Sequence, residues 1–441
     1  MSDNPRFIMI GGFLGAGKTT TVSRLAKHYL ALGKRVVIVT NDQATDLVDT
    51  NLLRSQGLDV GEVAGSCFCC NFNELTRTVE RLSESQRPDI VIAEPVGSCT
   101  DLVATVIRPL QQVYSVPFDI APYGVIIKPS HGLKILQGTR KGGFSPQAEY
   151  IFRKQIEEAD FVIINRIDEL SEAAVSELTT LIESQFPGTP CLKMSATSGQ
   201  GFDSFCEYLD LQGVFGTKAM DVDYDVYAEG EAELGWLNAQ VILTSESSFE
   251  LDTFLLRLLE RVNVELVQHS AEVAHLKAIG MTEGKFAVAN IVSSSSAPKL
   301  SIGSTASVKT ADLVINARVA IDPETLTETI QRTLRSVCQE FDISETTRTL
   351  QCFRPGRPVP THRLESSPSE VGLDYRVGQR LQTAYVLENR THLGDPFLHT
   401  VMVDHIGACG IQSFKPFAGM LKAISNRVSH LGSIAFGHQT T

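Results

Sequence analysis

The sequence predicts an α/β protein whose first half is a mostly parallel sheet flanked by helices. Short, wholly apolar strands alternate with amphipathic helical segments, which is typical of strands covered on both faces. The chain has 441 residues, 43% of them hydrophobic and 20% charged, enough for two or three globular domains. We expect a nucleotide-binding domain at residues 1–212, a linker at 213–235, an α+β domain at 236–340 and an extension at 341–441.

The first strand, at residues 6–10, leads into a glycine-rich loop, and a helix follows at 20–32. The loop at 12–19 reads G-x-x-x-x-G-K-T. Its glycines allow several backbone N–H groups to converge on one anion, and the helix N-terminus adds a positive dipole. The lysine of such a loop reaches the β- and γ-phosphates, and the next hydroxyl holds Mg²⁺. We therefore predict nucleotide binding by Gly12, Gly15, Ala16, Gly17, Lys18, Thr19 and Thr20.

Charge and composition exclude several other classes of protein. A net charge of −12 argues against binding to nucleic acid or to an anionic membrane surface. No apolar run approaches the roughly 20 residues that span a bilayer, and the chain starts without a signal-peptide pattern. We therefore expect a cytoplasmic protein whose nine cysteines bind metal or act in redox chemistry rather than form disulfides.

A second apolar strand, at 34–40, ends at Asn41 and Asp42, where α/β proteins place ligand sites. Three acidic residues follow the strand: Asp42, Asp46 and Asp49. For Asp42 two interpretations stay open, a solvated loop and a switch segment that senses a metal or the γ-phosphate. For Asp46 the solvated loop is favoured.

Cys67, Cys69 and Cys70 form a C-x-C-C motif, a density of thiols that is rare by chance. Thiolates this close can share one cation such as Zn²⁺, with bonds of about 2.3 Å. Three sulfurs leave the fourth coordination position open, which suits transfer or sensing of a metal. Two alternatives stay open: small buried residues, and a redox pair, although the spacing is not C-x-x-C.

A third strand, at 89–94, ends in Glu94, an arrangement in which the acid orients Mg²⁺ or a water. Gly97, three residues later, can turn its N–H towards a γ-phosphate. We predict catalytic roles for Lys18, Glu94 and Gly97, and Mg²⁺ contacts for Thr19, Asp42 and Glu94. Further helices are expected at 73–85, 101–113 and 146–159, a loop followed by a helix at 199–211, a fourth strand at 123–127, and a mobile basic loop at 138–143.

A fifth strand, at 161–164, delivers Asn165, Arg166 and Asp168 in the order N-R-x-D. An aspartate can accept two hydrogen bonds from guanine N1 and N2, which adenine cannot offer. Arg166 could stack along the purine as lysine does. A sixth strand, at 191–194, ends in Ser195 and Ala196, whose backbone commonly contacts the guanine oxygen. These residues predict GTP rather than ATP.

Together these motifs resemble the CobW/UreG/HypB group of P-loop GTPases, and most closely its CobW-like branch. C-x-C-C is the specific element of this resemblance, which covers about residues 6–211. The resemblance implies a GTP hydrolase that delivers or inserts a transition metal into an unknown recipient apoprotein. It also implies Mg²⁺ with the nucleotide, a cargo of Zn²⁺ ahead of Co²⁺ or Ni²⁺, partly held by the cysteines, and a homodimer as one candidate assembly.

The chain departs from the CobW-like pattern at three places. The sequence N-E-F-G-E after the second strand is replaced by Asn41–Thr45, which retains one carboxylate, Asp42. The fourth strand ends in Lys128, Pro129 and Ser130 instead of V-D-A, and Arg166 replaces lysine. The alternatives to a metal-delivering GTPase are a P-loop kinase for a small molecule, and a metal sensor or carrier without catalysis.

The second half predicts strands at 236–243, 273–280, 286–291 and 312–319, a helix at 249–262, a turn at 293–296, and a helix that Asp322 caps before Pro323. It loosely resembles the CobW C-terminal domain. The sequence assigns no role to residues 341–441. They contain a Pro/Arg-rich loop at 352–363 and an amphipathic helix at 414–431. His399, His405 and Cys409 are a candidate second metal site, although such residues are more often packed or solvated.

Overall fold

The computed structural model describes residues 4–42, 48–84, 87–114, 116–138, 145–291, 294 and 296–365. These described residues belong to one compact unit. None of the helices in these ranges has the length and apolarity that a bilayer crossing requires. Several predictions lie outside the described residues: Asp46, most of the loop at 138–143, part of the turn at 293–296, the helix at 414–431, and His399, His405 and Cys409.

The first domain is built on a parallel sheet in the order β3-β2-β4-β1-β6-β7-β8, with β5 paired to β1. This confirms the predicted α/β class. Two strands without a predicted counterpart, β3 and β5, have only four and two residues, too few for an apolar pattern. The strands are β1 (Arg6–Gly12), β2 (Val36–Asn41), β3 (Val60–Val63), β4 (Ile90–Glu94), β5 (Asp119–Ile120), β6 (Gly124–Ile127), β7 (Phe161–Ile164) and β8 (Cys191–Lys193).

In the part of this region that the structure describes, eight helices cover the sheet, and three of them, α2, α5 and α7, have no predicted counterpart. The helix expected at 101–113 begins as a π-helical turn, Val103–Ile107, before α4. In α5, Pro129 is the first residue and Gly132 lies inside, which hides the helical pattern. The helices are α1 (Lys18–Ala31), α2 (Val48–Ser55), α3 (Phe72–Ser83), α4 (Arg108–Gln112), α5 (Pro129–Leu136), α6 (Pro146–Glu158), α7 (Glu172–Gln185) and α8 (Phe202–Leu209).

The segment 213–235 is not only a linker, because it contains helix α9 (Tyr224–Ala232). This helix packs against α6 and buries Tyr227 and Glu231. The buried face of this helix presents an aromatic residue and an acid, so it lacks the regular spacing of aliphatic residues that predicts a helix. The composition of the segment therefore favoured a linker.

The second domain is an antiparallel sheet in the order β12-β11-β10-β13-β9-β14, and two helices among its described residues cover it. The last helix begins as predicted, since the Asp322 side chain accepts from the Thr325 N–H at 2.8 Å. The predicted end at residue 340 omits β14, an edge strand with mostly polar residues. The elements are β9 (Gly235–Glu250), α10 (Leu251–Gln268), β10 (Val273–Thr282), β11 (Lys285–Ile291), β12 (Lys299–Ile302), β13 (Ser307–Val319), α11 (Pro323–Glu340) and β14 (Ser344–Phe353).

Glu158, at the end of α6, is a fully buried acid that holds the start of the π-helical turn. Its carboxyl accepts from the Thr100 hydroxyl at 3.2 Å and from the Val103 N–H at 3.1 Å. Burial raises the pKa of Glu158 to about 8. The group is therefore protonated in the folded protein at neutral pH, although it would be ionised in the unfolded chain.

Glu158→Gln should remove a pH-dependent loss of stability. A raised folded-state pKa means that the folded protein binds the extra proton, so stability falls as pH rises from about 4.5 to about 8. The slope is at most about 1.4 kcal/mol per pH unit. Between pH 6 and pH 8 the variant should gain about 2–3 kcal/mol relative to the wild type in urea unfolding. Glu157→Gln is the control, and parallel pH profiles for Glu158→Gln and the wild type would contradict the prediction.

Candidate nucleotide and metal site

The loop between β1 and α1 follows a path that its glycines make possible. Gly12, Gly15 and Gly17 have φ values of 132°, 71° and 95°, a region that favours glycine. A Cβ on Gly12 would lie 2.2 Å from the Ile126 carbonyl oxygen, and one on Gly17 would lie 2.5 Å from the Asn165 amide nitrogen. The loop therefore packs directly against the ends of β6 and β7.

Lys18 is buried and lies over this loop. Its ammonium donates to the carbonyl oxygens of Gly12 at 2.8 Å and Phe13 at 3.4 Å. Burial lowers the pKa of Lys18, and the nearby Glu94 carboxylate acts in the opposite direction. The cation thus lies where the backbone turns, the position that a phosphate-binding lysine requires.

Thr19 and Glu94, predicted from separate motifs, are in direct contact. The Thr19 hydroxyl donates to Glu94 Oε1 at 2.8 Å. Within the described ranges, Glu94 Oε2 is buried without a hydrogen-bond partner. Burial, reinforced by the charge of Asp49, raises the pKa of Glu94 to about 7. A hydroxyl and an unsatisfied carboxylate oxygen side by side are a donor set that fits Mg²⁺.

The acid that joins this pair is Asp49, whereas Asp42 was the predicted one. Asp42 forms an ion pair of 2.7 Å with Arg318 on β13. Asp49, on α2, interacts with the Thr19 hydroxyl and forms an ion pair with Lys277 on β10. Burial acts to raise the pKa of Asp49, but Lys277 and other partners outweigh it and hold that pKa below the ordinary value. The sequence alone had no signal that separated Asp49 from Asp46.

Gly97 is a close-approach position beside Lys18. A Cβ there would lie 2.8 Å from Leu14 Cδ2, 2.9 Å from Lys18 Nζ and 3.1 Å from the Leu14 amide nitrogen. Glycine at this position therefore lets the segment after β4 contact the phosphate loop.

Asn165 ties the loop to the segment after β8. Its amide donates to the Ala16 carbonyl at 2.8 Å and accepts from the Ala196 N–H at 2.9 Å. Arg24, on α1, donates to the carbonyls of Ala196 and Thr197 at 2.7 Å each, a contact that sequence reasoning missed.

Three more predicted residues lie in the turns next to Asn165. Arg166 has a φ of 61°, and Asp168 is exposed in the short 3-10 turn Ile167–Glu169. The Ser195 hydroxyl accepts from the Ser198 N–H at 3.0 Å. The structure therefore brings the N-R-x-D and S-A-T segments to one side of the phosphate loop.

A cavity of about 890 Å³ lies over these residues. One wall is the first domain, from the phosphate loop to Arg166 and Ala196. The opposite wall belongs to the second domain and presents the side chains of His275, Lys277 and Arg318. Arg318 is held in place by Trp236, whose ring centroid lies 4.3 Å from the guanidinium carbon. This basic wall was not predicted.

The three cysteines of C-x-C-C lie in one turn before α3. The sulfur separations are 2.8 Å for Cys67–Cys69, 3.2 Å for Cys67–Cys70 and 3.7 Å for Cys69–Cys70. Sulfurs bound to one tetrahedral Zn²⁺ are about 3.8 Å apart, given bonds of about 2.3 Å. Hydrogen bonds from Cys69 and Cys70 hold the pKa of Cys67 well below its usual range. The turn therefore fits a thiophilic cation after a small expansion.

Asn41, at the end of β2, fixes this turn. Its side chain donates to the carbonyls of Val63 and Ser66, at 2.9 and 2.8 Å, and accepts from the Phe68 N–H at 2.8 Å. The strand that precedes Asp42 thus also positions the cysteines, which are buried or half-buried.

Residues 354–365, here called the strap, lie across the cysteine turn. The Val359 N–H donates to the Cys70 sulfur at 3.2 Å. Thr361 donates from its N–H to the Cys69 carbonyl at 2.8 Å, and from its hydroxyl to the Cys70 carbonyl at 3.0 Å. Much of the Pro/Arg-rich loop, which the sequence left without a role, therefore covers the candidate metal site.

Comparison with known proteins supports the nucleotide-binding half. The zinc chaperone CobW of Sinorhizobium sp is 35% identical over 97 residues, 20% of this chain and 27% of that protein. The zinc chaperone YeiR of Escherichia coli (strain K12) is 28% identical over 166 residues, 36% of this chain and 46% of that protein. This chain thus spans less than half the length of either relative.

Among solved structures, the chain is similar to HypB from Helicobacter pylori in complex with nickel, with 19% sequence identity and a TM-score of 0.34. The match covers 48% of this chain and 92% of the HypB chain. The family model of the CobW/HypB/UreG nucleotide-binding domain matches residues 6–193. The predicted resemblance is thus confirmed over residues 6–193, which match the nucleotide-binding domain of CobW/HypB/UreG proteins.

Proposed function

We propose that this protein hydrolyses GTP and uses the nucleotide state to bind and release a transition metal for a recipient apoprotein. The observation that carries the proposal is the cluster of Cys67, Cys69 and Cys70, whose sulfurs all lie within 4.8 Å of one another. The cluster follows β3, while Glu94 ends β4 in the same sheet. The relatives named as zinc chaperones support a metal cargo, and Zn²⁺ is the first candidate.

The chain's own residues supply the parts that phosphoryl transfer needs. Lys18 would neutralise charge on the β- and γ-phosphates, and the backbone of the glycine loop would position them. Thr19 and Glu94, with Asp49 beside them, would hold Mg²⁺, which supplies further charge neutralisation when bound. Gly97 would offer its N–H at the γ-phosphate. Attack by water on that phosphate gives GDP and inorganic phosphate.

Guanine selection is assigned to Asp168. Asp168→Asn should lower the preference for GTP over ATP by about 100-fold, because the amide cannot accept two hydrogen bonds from guanine. The measurement is the Kd of fluorescent GTP and ATP analogues with Mg²⁺. Asp203→Asn, an exposed acid on the cavity rim, is the control and should retain the preference. Equal affinity of the wild type for both nucleotides would refute guanine selection.

The function itself is tested by GTP turnover with and without Zn²⁺, Co²⁺ or Ni²⁺, together with metal analysis of the purified protein. We expect slow turnover that responds to the metal, and one bound metal per chain. Phosphate transferred to an added acceptor instead of water would indicate a kinase. Nucleotide binding without turnover under any metal would indicate a sensor or carrier.

A further inference from the structure

The antiparallel sheet has two faces, and a different part of the chain lies on each. Side chains along a strand alternate between the two faces. At alternate positions of β10 and β13, Ile279 and Val314 form a small apolar cluster with Val48 and Leu52 of α2. Helix α2 therefore packs on one face of this sheet. The positions between them face the core beneath α10 and α11 and include Leu276, Ala278, Leu313, Ile315 and Ala317.

Helix α2 is also fixed to the parallel-sheet region. The Thr40 and Thr50 hydroxyls share a buried hydrogen bond of 2.7 Å, which joins α2 to β2. Gln56, directly after α2, accepts from the Ser23 hydroxyl of α1 at 2.7 Å. The helix therefore bridges the two sheets and packs beside α1, the helix that carries Thr19.

The antiparallel sheet holds the first two residues of α2. Asn316, on β13, is 3% exposed, and its Oδ1 accepts from the N–H of Val48 at 2.8 Å. The N–H groups of a first helical turn have no acceptor inside the helix, so Asn316 caps α2 from 268 residues away. The Asn316 amide also donates to the Ile315 carbonyl at 3.2 Å, which orients the side chain. Lys277, the partner of Asn316 on β10, forms an ion pair with Asp49.

We propose that Asn316 is a positioning residue of the nucleotide site, which holds the first turn of α2 so that Asp49 faces the Mg²⁺ that accompanies the nucleotide. Asp49 lines the same cavity as Thr19 and Glu94, whose side chains are in contact at 2.8 Å. The inference rests on the proposed function and makes the antiparallel sheet a part of the nucleotide site. Binding of Mg²⁺ with nucleotide and the contact between Asn316 and α2 then stabilise each other, because such coupling is reciprocal.

The test compares the full-length protein with Asn316→Leu, which has a similar size but cannot accept a hydrogen bond. Binding of a fluorescent, non-hydrolysable GTP analogue is followed as Mg²⁺ is added. The Mg²⁺ concentration for half-maximal binding should rise about 10-fold, the usual effect of losing a helix cap. Affinity for the analogue in EDTA should stay at the wild-type value. Without nucleotide, hydrogen exchange of the α2 amides, Val48–Ser55, should also become about 10-fold faster.

Two further variants separate capping from a general loss of stability. Asn316→Asp retains an acceptor oxygen, so it should restore both the Mg²⁺ requirement and the slow exchange of α2. Asn263→Leu is the matched control, because Asn263 lies on α10 and its amide donates to the Ser294 carbonyl at 3.1 Å. It should leave both quantities unchanged. Circular dichroism shows whether each variant is folded.

A double variant tests whether Asn316 acts through Asp49. Adding Asn316→Leu to Asp49→Asn should raise the Mg²⁺ requirement no further than Asp49→Asn alone, since the two residues then act as one unit. Effects that multiply would overturn the inference, as would a folded Asn316→Leu protein with the wild-type Mg²⁺ requirement. Failure of Asn316→Asp to restore that requirement would also overturn it. A wild type that binds no GTP analogue would refute the proposed function, and this inference with it.

Discussion

Cys67→Ser should abolish stoichiometric metal binding. The Cys67 sulfur is the nearest sulfur to both Cys69 and Cys70. Its loss therefore removes the two shortest sulfur contacts of the cluster. Removing a group that only orients a metal ligand costs about 10- to 100-fold in affinity, and removing this ligand should cost more than about 100-fold. The measurement is metal content after purification, and again after equilibrium dialysis against Zn²⁺.

Cys191→Ser is the matched control, because Cys191 is a free cysteine on β8, away from the cluster. It should retain one metal per chain. If Cys67→Ser also retains stoichiometric metal, the site lies elsewhere, and His399, His405 and Cys409, outside the described residues, become the next candidates.

Glu94→Gln should reduce GTP turnover by about 100- to 1,000-fold, the effect of removing one preorganised electrostatic group from a phosphoryl-transfer site. The substitution keeps the shape and can still accept from the Thr19 hydroxyl, but it removes the charge that would hold Mg²⁺. The Mg²⁺ concentration for half-maximal turnover should rise at the same time. The measurement is phosphate release as a function of Mg²⁺ concentration.

Substitutions at two neighbouring acids distinguish the loss of a Mg²⁺ contact from a general loss of negative charge in the cavity. Asp49→Asn should also raise the Mg²⁺ requirement, since Asp49 interacts with Thr19. Asp42→Asn should raise the Mg²⁺ requirement less than Asp49→Asn does, because Asp42 pairs with Arg318. Unchanged Mg²⁺ dependence in Glu94→Gln would contradict the assignment, and a larger effect at Asp42 than at Asp49 would restore the acid predicted from sequence.

Much of the nucleotide half could be predicted because its signals are local. Each signal depends on residues within about ten positions of one another. This holds for the glycine loop, the apolar strands and the C-x-C-C turn. The strands form one parallel sheet, and the loop and the turn follow strands of that sheet. The contact between Thr19 and Glu94 follows from the same logic, since the carboxyl ends of adjacent parallel strands share one edge. Some elements lack a local pattern of apolar residues and could not be predicted in this way. These are the short strands β3 and β5 and the half-polar helix α9.

The sequence by itself therefore determined the class of fold, the phosphate loop and the three cysteines of the turn. Only the tertiary structure decided which acid joins Thr19 and which segment covers the cysteine turn. Asp49 is selected by Lys277, which is 228 residues away, and Cys70 is covered by Val359, which is 289 residues away. Such contacts depend on how the two sheets and their helices pack together. A single sequence records which side chains are available, and not which of them meet.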